Sequence, residues 1–206
     1  MSLPGFTNND FDIFQIEGLP NRMAAIQEHL QPKFKTIGIE LTDYLAGKLG
    51  NEMYLHIAKH ARRTVNPPKD TWLAIADNKR GYKKHPHFQV GLFDDRLFIW
   101  LAFIYELPDK KKIAQEFLDQ VDIFDQLNDD FIISFDHMKK DAISVNDLTS
   151  KNIQRFRDVK KAELLIGKYL FKEEAVQLSG DDLVKLIKES YDQLLPLYQL
   201  GKGAIS

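Results

Sequence analysis

The stretch Arg96-Leu97-Phe98-Ile99-Trp100-Leu101-Ala102-Phe103-Ile104-Tyr105 decides the fold class. Residues of a strand alternate between the two faces of a sheet. Here both sets are apolar: Phe98, Trp100, Ala102 and Ile104 on one side, Leu97, Ile99, Leu101 and Phe103 on the other. Such a strand belongs at the centre of a sheet covered on both faces. Working outward, Asp94-Asp95 reads as the turn of a hairpin whose other arm is Phe88 to Phe93. Thr71 to Ala76 predicts another strand, followed by a turn at Asn78-Lys79-Arg80-Gly81. Met53, Leu55 and Ile57 alternate with Tyr54, His56, Ala58 and His60, the pattern of a half-buried strand, and Asn66-Pro67-Pro68 stiffens the connection after it. Phe131 to Phe135 is a short strand, and Lys161 to Phe171 carries a weaker strand signal resting on Leu164 to Ile166.

Helical periodicity brackets this region. Pro20 opens an amphipathic stretch with Met23, Ile26 and Leu30 on one face. Pro32 suits the first turn of a second helix, where its missing N–H leaves nothing unpaired, and Phe34, Ile37, Leu41, Leu45 and Leu49 form its stripe up to Gly50. A helix from Pro108 buries Ile113, Phe117, Val121 and Phe124; another covers Asn146 to Val159. The last runs from Asp181 to Leu200 and is bent by Pro196. The expected architecture is an α+β single domain spanning residues 1–206. Its largely antiparallel central sheet has about five to six strands, with helices from both chain ends packed on it. Residues 1–6 read as a disordered or expression-derived lead.

Composition removes several classes of chemistry. With no cysteine, disulfides, thiolate zinc sites, iron–sulfur clusters and cysteine nucleophiles are excluded. No apolar run approaches the roughly 20 residues of a membrane span, and the first residues lack the features of a signal peptide, so the cytoplasm is the expected location. Neither a Walker loop, GxGxxG, GxSxG nor an acidic calcium loop is present, and no cofactor is expected.

Charge is distributed unevenly. Between His56 and His87 lie eight cations (Lys59, Arg62, Arg63, Lys69, Lys79, Arg80, Lys83, Lys84) against Asp70 and Asp77, together with four of the six histidines. The segment carries +6 in a chain of net charge −2. Seven more cations against two acids fall between Lys151 and Lys172. Guanidinium forks bind phosphate bidentately, and an imidazole beside them can donate a further hydrogen bond or move a proton. The strand alternation puts Tyr54, His56 and His60 on one face, and His85 and His87 share a parity where the next strand begins. The candidate anion site is therefore His60, Arg62, Arg63, Lys79, Arg80, Tyr82, Lys83 and His87, for a small phosphorylated molecule or nucleic acid. Tyr54, Tyr82 and Phe88 are the candidate stacking platform for bases, and Trp72 is assigned to the core.

Two other readings of the same segment are an enzyme using His60 or His87 as acid–base with an arginine clamp, and a module that docks an acidic protein. His56 and His60 stand in a strand-like setting without the glutamate of a zinc helix, and His85-Pro86-His87 has no nearby carboxylate, so no metal site is assigned. Asp136-His137 with Lys139 and Asp141 reads as a turn in preference to an acid–base group.

The runs His56-Ile-Ala-Lys-His-Ala-Arg-Arg-Thr-Val-Asn-Pro-Pro-Lys-Asp-Thr-Trp72 and Asn78-Lys-Arg-Gly-Tyr-Lys-Lys-His-Pro-His-Phe-Gln89 resemble the YktB-like family of uncharacterised bacterial proteins. The likeness continues through Asp136-His137-Met138-Lys139, Val159-Lys160-Lys161-Ala162-Glu163 and Asp192-Gln193-Leu194-Leu195-Pro196-Leu197-Tyr198. It implies a single α+β domain in the cytoplasm of a Gram-positive-type bacterium, and it implies neither an activity nor catalytic residues.

Overall fold

The structure, a computed structural model, describes residues 2–205. Helices α1 (Asn8–Asp12), α2 (Leu19–Ala25) and α3 (Gln31–Leu49) precede strands β1 (Tyr54–Ile57), β2 (Thr71–Ala76), β3 (His87–Leu92) and β4 (Arg96–Phe103). Then come α4 (Lys110–Asp119), β5 (Ile132–Ser134), β6 (Ile143–Ser144), α5 (Ser150–Asp158), β7 (Leu164–Phe171), α6 (Lys172–Ala175) and α7 (Gly180–Gly203). The strands form one antiparallel sheet in the order β1-β2-β3-β4-β7-β5-β6.

As its two apolar sets require, β4 is central and buried on both sides. The sheet has seven strands where five to six were expected. The additional strand is β6, two residues that pair with β5 and carry no alternation to read.

The two faces differ. Leu73, Ile75, Phe88, Val90, Ile99, Leu101, Phe103 and Ile166 pack against the stripes of α3 (Phe34, Ile37, Leu41, Leu45) and α7 (Leu183, Ile187, Tyr191, Leu194), forming the main core. The second face carries a smaller cluster, Trp72, Ala74, Phe98, Trp100, Ala102 and Leu165, and its cover consists of loops. Two glycines make room for the large rings there. A Cβ on Gly91 would lie 2.3 Å from the Phe98 ring, and one on Gly167 would lie 2.8 Å from Trp100. Both glycines stand directly opposite those aromatics in the strand register.

Pro32 sits in the first turn of α3, as its sequence position suggested. It cannot donate to the carbonyl four residues back, and a wide π-turn over Ile26–Leu30 joins α2 to α3 without a break. Within the lead expected to be disordered, of which Met1 lies outside the described residues, Phe6 is buried edge-on to Phe34 and the Leu3 N–H donates to Asp181 at 3.2 Å.

Candidate functional site

Three loops cover the second face, and their side chains meet around Trp72. The first follows β1. Ala58 N–H still donates to the Trp72 carbonyl at 2.9 Å, but the chain then turns through His60 at φ 49°, a left-handed conformation uncommon outside glycine. That turn brings the His60 ring edge-on to Trp72, with centroids 5.5 Å apart, and its Nε2 to 3.1 Å from the Thr71 hydroxyl. The second loop enters through Gly81, whose φ of 69° starts a 3-10 turn at Tyr82–Lys84. The Tyr82 hydroxyl accepts from the Trp72 indole N–H at 3.0 Å, while its ring lies 4.9 Å from His56 and 5.0 Å from His87.

A cleft of about 550 Å³ opens between these two loops, with Trp72, 7% exposed, in its lining. Five cations line it (Lys59, Arg62, Arg63, Lys83, Lys84) against one acid, Glu106. Lys83 reaches Glu106 at 4.0 Å and lies 5.7 Å over the Trp72 ring. Arg63 donates to the Asn66 carbonyl at 3.4 Å. Among the described residues, Lys59, Arg62, Arg63 and Lys84 have no carboxylate within salt-bridge distance.

Of the residues singled out from sequence, His60, Arg62, Arg63, Tyr82 and Lys83 line this cleft; Lys79, Arg80 and His87 do not. Lys79 lies 5.5 Å over Tyr54, and Arg80 is exposed in its turn. His87 is fully buried, its Nδ1–H donating to the His85 carbonyl at 2.8 Å and its Nε2 accepting from the Gln89 amide at 2.7 Å. Burial lowers its pKa to about 3, so it is neutral and has no free nitrogen for acid–base work. Burial also lowers His60 to about 4, helped by Arg63 and Lys83. Phe88 leaves the stacking platform, because β3 turns it into the main core between Tyr191 and Tyr198.

The third loop follows β5. Asp136 accepts from the Met138 N–H at 2.9 Å, so the expected turn is present. It also carries a pair that sequence reasoning missed. His137 Nδ1 donates to both oxygens of Glu163, at 2.9 and 2.8 Å, and the same carboxylate accepts from the His137 backbone N–H at 2.8 Å. Glu163 shares a parity with Leu165 of β7, which points it onto the second face. No spacing rule connects residues 137 and 163; strand order alone joins them. The His137 ring stands 6.4 Å from Trp72, T-shaped, as the His60 ring does at 5.5 Å.

Asp70, two residues before Trp72 and 2% exposed, was counted from sequence only as an acid of the basic segment. Its Oδ1 has no hydrogen-bond partner. Burial raises its pKa to about 6, with His137, Arg63 and Lys83 acting in the opposite sense. Donor atoms of Asp136, His137 and Glu163 lie within 4.8 Å of one another, a spacing a cation could use. Their present hydrogen bonds already account for that proximity.

Residues 6–198 match a domain of unknown function, DUF1054. The chain belongs to the DUF1054 family. It is 61% identical over 197 residues to a UPF0637 protein of Oceanobacillus iheyensis, covering 96% of each chain. It is 57% identical over 206 residues to one of Shouchella clausii, covering 99% of this chain and 98% of the relative. For one of Listeria welshimeri the identity is 52% over 200 residues, covering 97% and 98%. Membership of an uncharacterised bacterial family agrees with the resemblance carried by the His56–Gln89 motif. No helix among the described residues is long and apolar enough to cross a membrane.

Proposed function

We propose that this protein binds a phosphate-bearing small molecule in the cleft between the β1–β2 and β2–β3 loops, with Arg62, Arg63, Lys83 and the neutral His60 as its principal contacts. The observation that carries this reading is the charge of the cleft: five cations and one carboxylate line it, and four of the five cations have no carboxylate within salt-bridge distance. Clustering like charges on a chain of net charge −2 costs free energy unless an anion offsets it. The gathering of these cations around one cleft, with an indole and a phenol beside them, favours a compact ligand over a nucleic-acid track. We place this binding in the cytoplasm.

Titration calorimetry with inorganic phosphate and diphosphate at low and high salt tests the proposal. Binding that weakens as salt rises is expected, with diphosphate tighter. Arg63→Ala should weaken it ~10-fold or more, as the loss of one charge-assisted hydrogen bond implies. Absence of binding to either anion at low salt overturns the reading. Tight binding of single-stranded RNA with weak binding of both small anions would assign the cations to nucleic acid instead.

A further inference from the structure

Resting on that reading, we propose that the ligand of the cleft is a phosphorylated polyol such as a sugar phosphate, with Glu106 as the acceptor for its hydroxyls. Glu106 is the one carboxylate in the lining, and the local chain geometry sets it there. The turn that follows β4 is closed by the Leu107 N–H on the Ile104 carbonyl at 3.1 Å, with both of those residues buried, and Glu106 lies between them. Its side chain is only 31% exposed, yet its carboxylate makes no hydrogen bond among the described residues. Lys83, the one cation within salt-bridge distance, stands at 4.0 Å, too far for a hydrogen bond. The acceptor positions of both oxygens are therefore left for a ligand or water.

Most other polar groups of the cleft are donors. Arg63 spends one N–H on the Asn66 carbonyl, and Lys59, Arg62 and Lys84 make no hydrogen bond among the described residues. The Tyr82 hydroxyl accepts the Trp72 indole N–H at 3.0 Å and keeps its own hydrogen to donate. A complementary ligand thus presents acceptors to most of the wall and donors at one place. Phosphate supplies the acceptors; the donors must be hydroxyls or an ammonium.

Charge decides between those two. Five cations line the cleft, so a ligand ammonium would be repelled from several sides, whereas a hydroxyl donates without carrying charge. Two neighbouring hydroxyls also match the two oxygens of one carboxylate, in hydrogen bonds strengthened by its charge. Ala58, Ala61 and the rings of Trp72 and Tyr82 give the cleft apolar wall for the carbon faces of a sugar. A Glu106 that only tempered the charge would weaken every phosphate ligand alike. One that receives hydroxyls favours the ligands that carry them, so the ratio of two affinities separates the cases.

Calorimetric titration of the full chain with inorganic phosphate, ethyl phosphate, ribose 5-phosphate, glucose 6-phosphate and 2-aminoethyl phosphate is the test. At least one sugar phosphate should bind ~10-fold or more tighter than ethyl phosphate, as one charge-assisted hydrogen bond implies. Glu106→Ala should bring that ratio within ~3-fold, while ethyl phosphate binds as well as before or better because a like charge has gone. The wild-type comparison decides even if the variant does not fold. If neither sugar phosphate outbinds ethyl phosphate, or the advantage survives in folded Glu106→Ala, the role of Glu106 is overturned and the anion reading stands. If 2-aminoethyl phosphate binds tightest, the carboxylate serves an ammonium and the polyol class is overturned. If neither inorganic phosphate nor any ester binds, both readings fall.

Discussion

Lys110 shows how far one residue can depart from what its neighbours in sequence suggest. It opens the run Lys110-Lys111-Lys112, which in a sequence looks like a solvated helical face. In the structure it is buried, and its ammonium donates to the carbonyls of Val159 at 2.6 Å, Lys160 at 3.1 Å and Ala162 at 2.9 Å. Those carbonyls follow the C-terminus of α5, where a cation also meets the negative end of the helix dipole. All three donors are used, so the charge is fully satisfied. Burial lowers its pKa, with Glu163 acting in the opposite sense. Lys110→Met keeps the length of the stem and removes the three bonds, leaving the Val159 carbonyl only the Ala162 N–H and the other two carbonyls without the ammonium. It should destabilise the fold by about 3 kcal/mol, read as a lower urea midpoint with unchanged slope. A loss below about 0.5 kcal/mol would show that water replaces the ammonium without cost. The same tether holds the segment that leads to Glu163, so a residue invisible to motif reading supports the Glu163–His137 pair. Arg62, Arg63 and Lys83 were legible as a group because charge clusters in sequence; the His137–Glu163 pairing was not, because its members stand 26 residues apart with no spacing rule to join them, and the burial of Asp70 leaves no mark in the sequence.

At the scale of elements, what could be read was what periodicity encodes. The double apolar face of β4, the alternation of β1 and the stripes of α3 and α7 each carry enough residues to specify element and orientation. β7 was harder, since its alternation is diluted by Gly167, and β6 is too short to have a period. Yet Gly167 is where β7 depends most on having no side chain. A Cβ there would lie 1.8 Å from the Ile99 carbonyl oxygen, backbone of the adjacent strand that cannot swing aside. Gly167→Ala should therefore force β4 and β7 apart at the middle of the sheet and cost about 2–3 kcal/mol in thermal or chemical unfolding. Gly203→Ala, which meets nothing within 4 Å at the end of α7, is the matched control and should be neutral or slightly stabilising. Equal effects of the two would mean that the strands relax around the methyl group.

For the whole molecule, the buried polar groups of the second face set a pH dependence with opposing parts. His60 and His87 have folded pKa values of about 4 and about 3, below the usual 6.5, both lowered first by burial. Below pH 6.5 the unfolded chain therefore binds protons that the folded chain refuses, so their contribution is complete above that pH and is lost as pH falls. Asp70 works in reverse. Its folded pKa of about 6 exceeds the usual 3.8, so the folded chain keeps a proton that the unfolded chain releases, and stability is lost as pH rises through about 6. Two histidines with larger displacements outweigh one carboxyl, and the net effect is acid destabilisation beginning near pH 6.5. Urea unfolding between pH 4 and pH 7.5 should show stability falling by several kcal/mol toward the acid end. The variants separate the parts. His87→Gln should flatten the acid limb, because its amide carries no proton to refuse. Asp70→Asn should gain stability over wild type at pH 7.5, by about 2 kcal/mol, and little or none at pH 4. A flat wild-type profile, or an Asp70→Asn gain of equal size at both ends, would mean that these groups are solvated in the folded chain and that the second face is wet rather than held dry for a ligand.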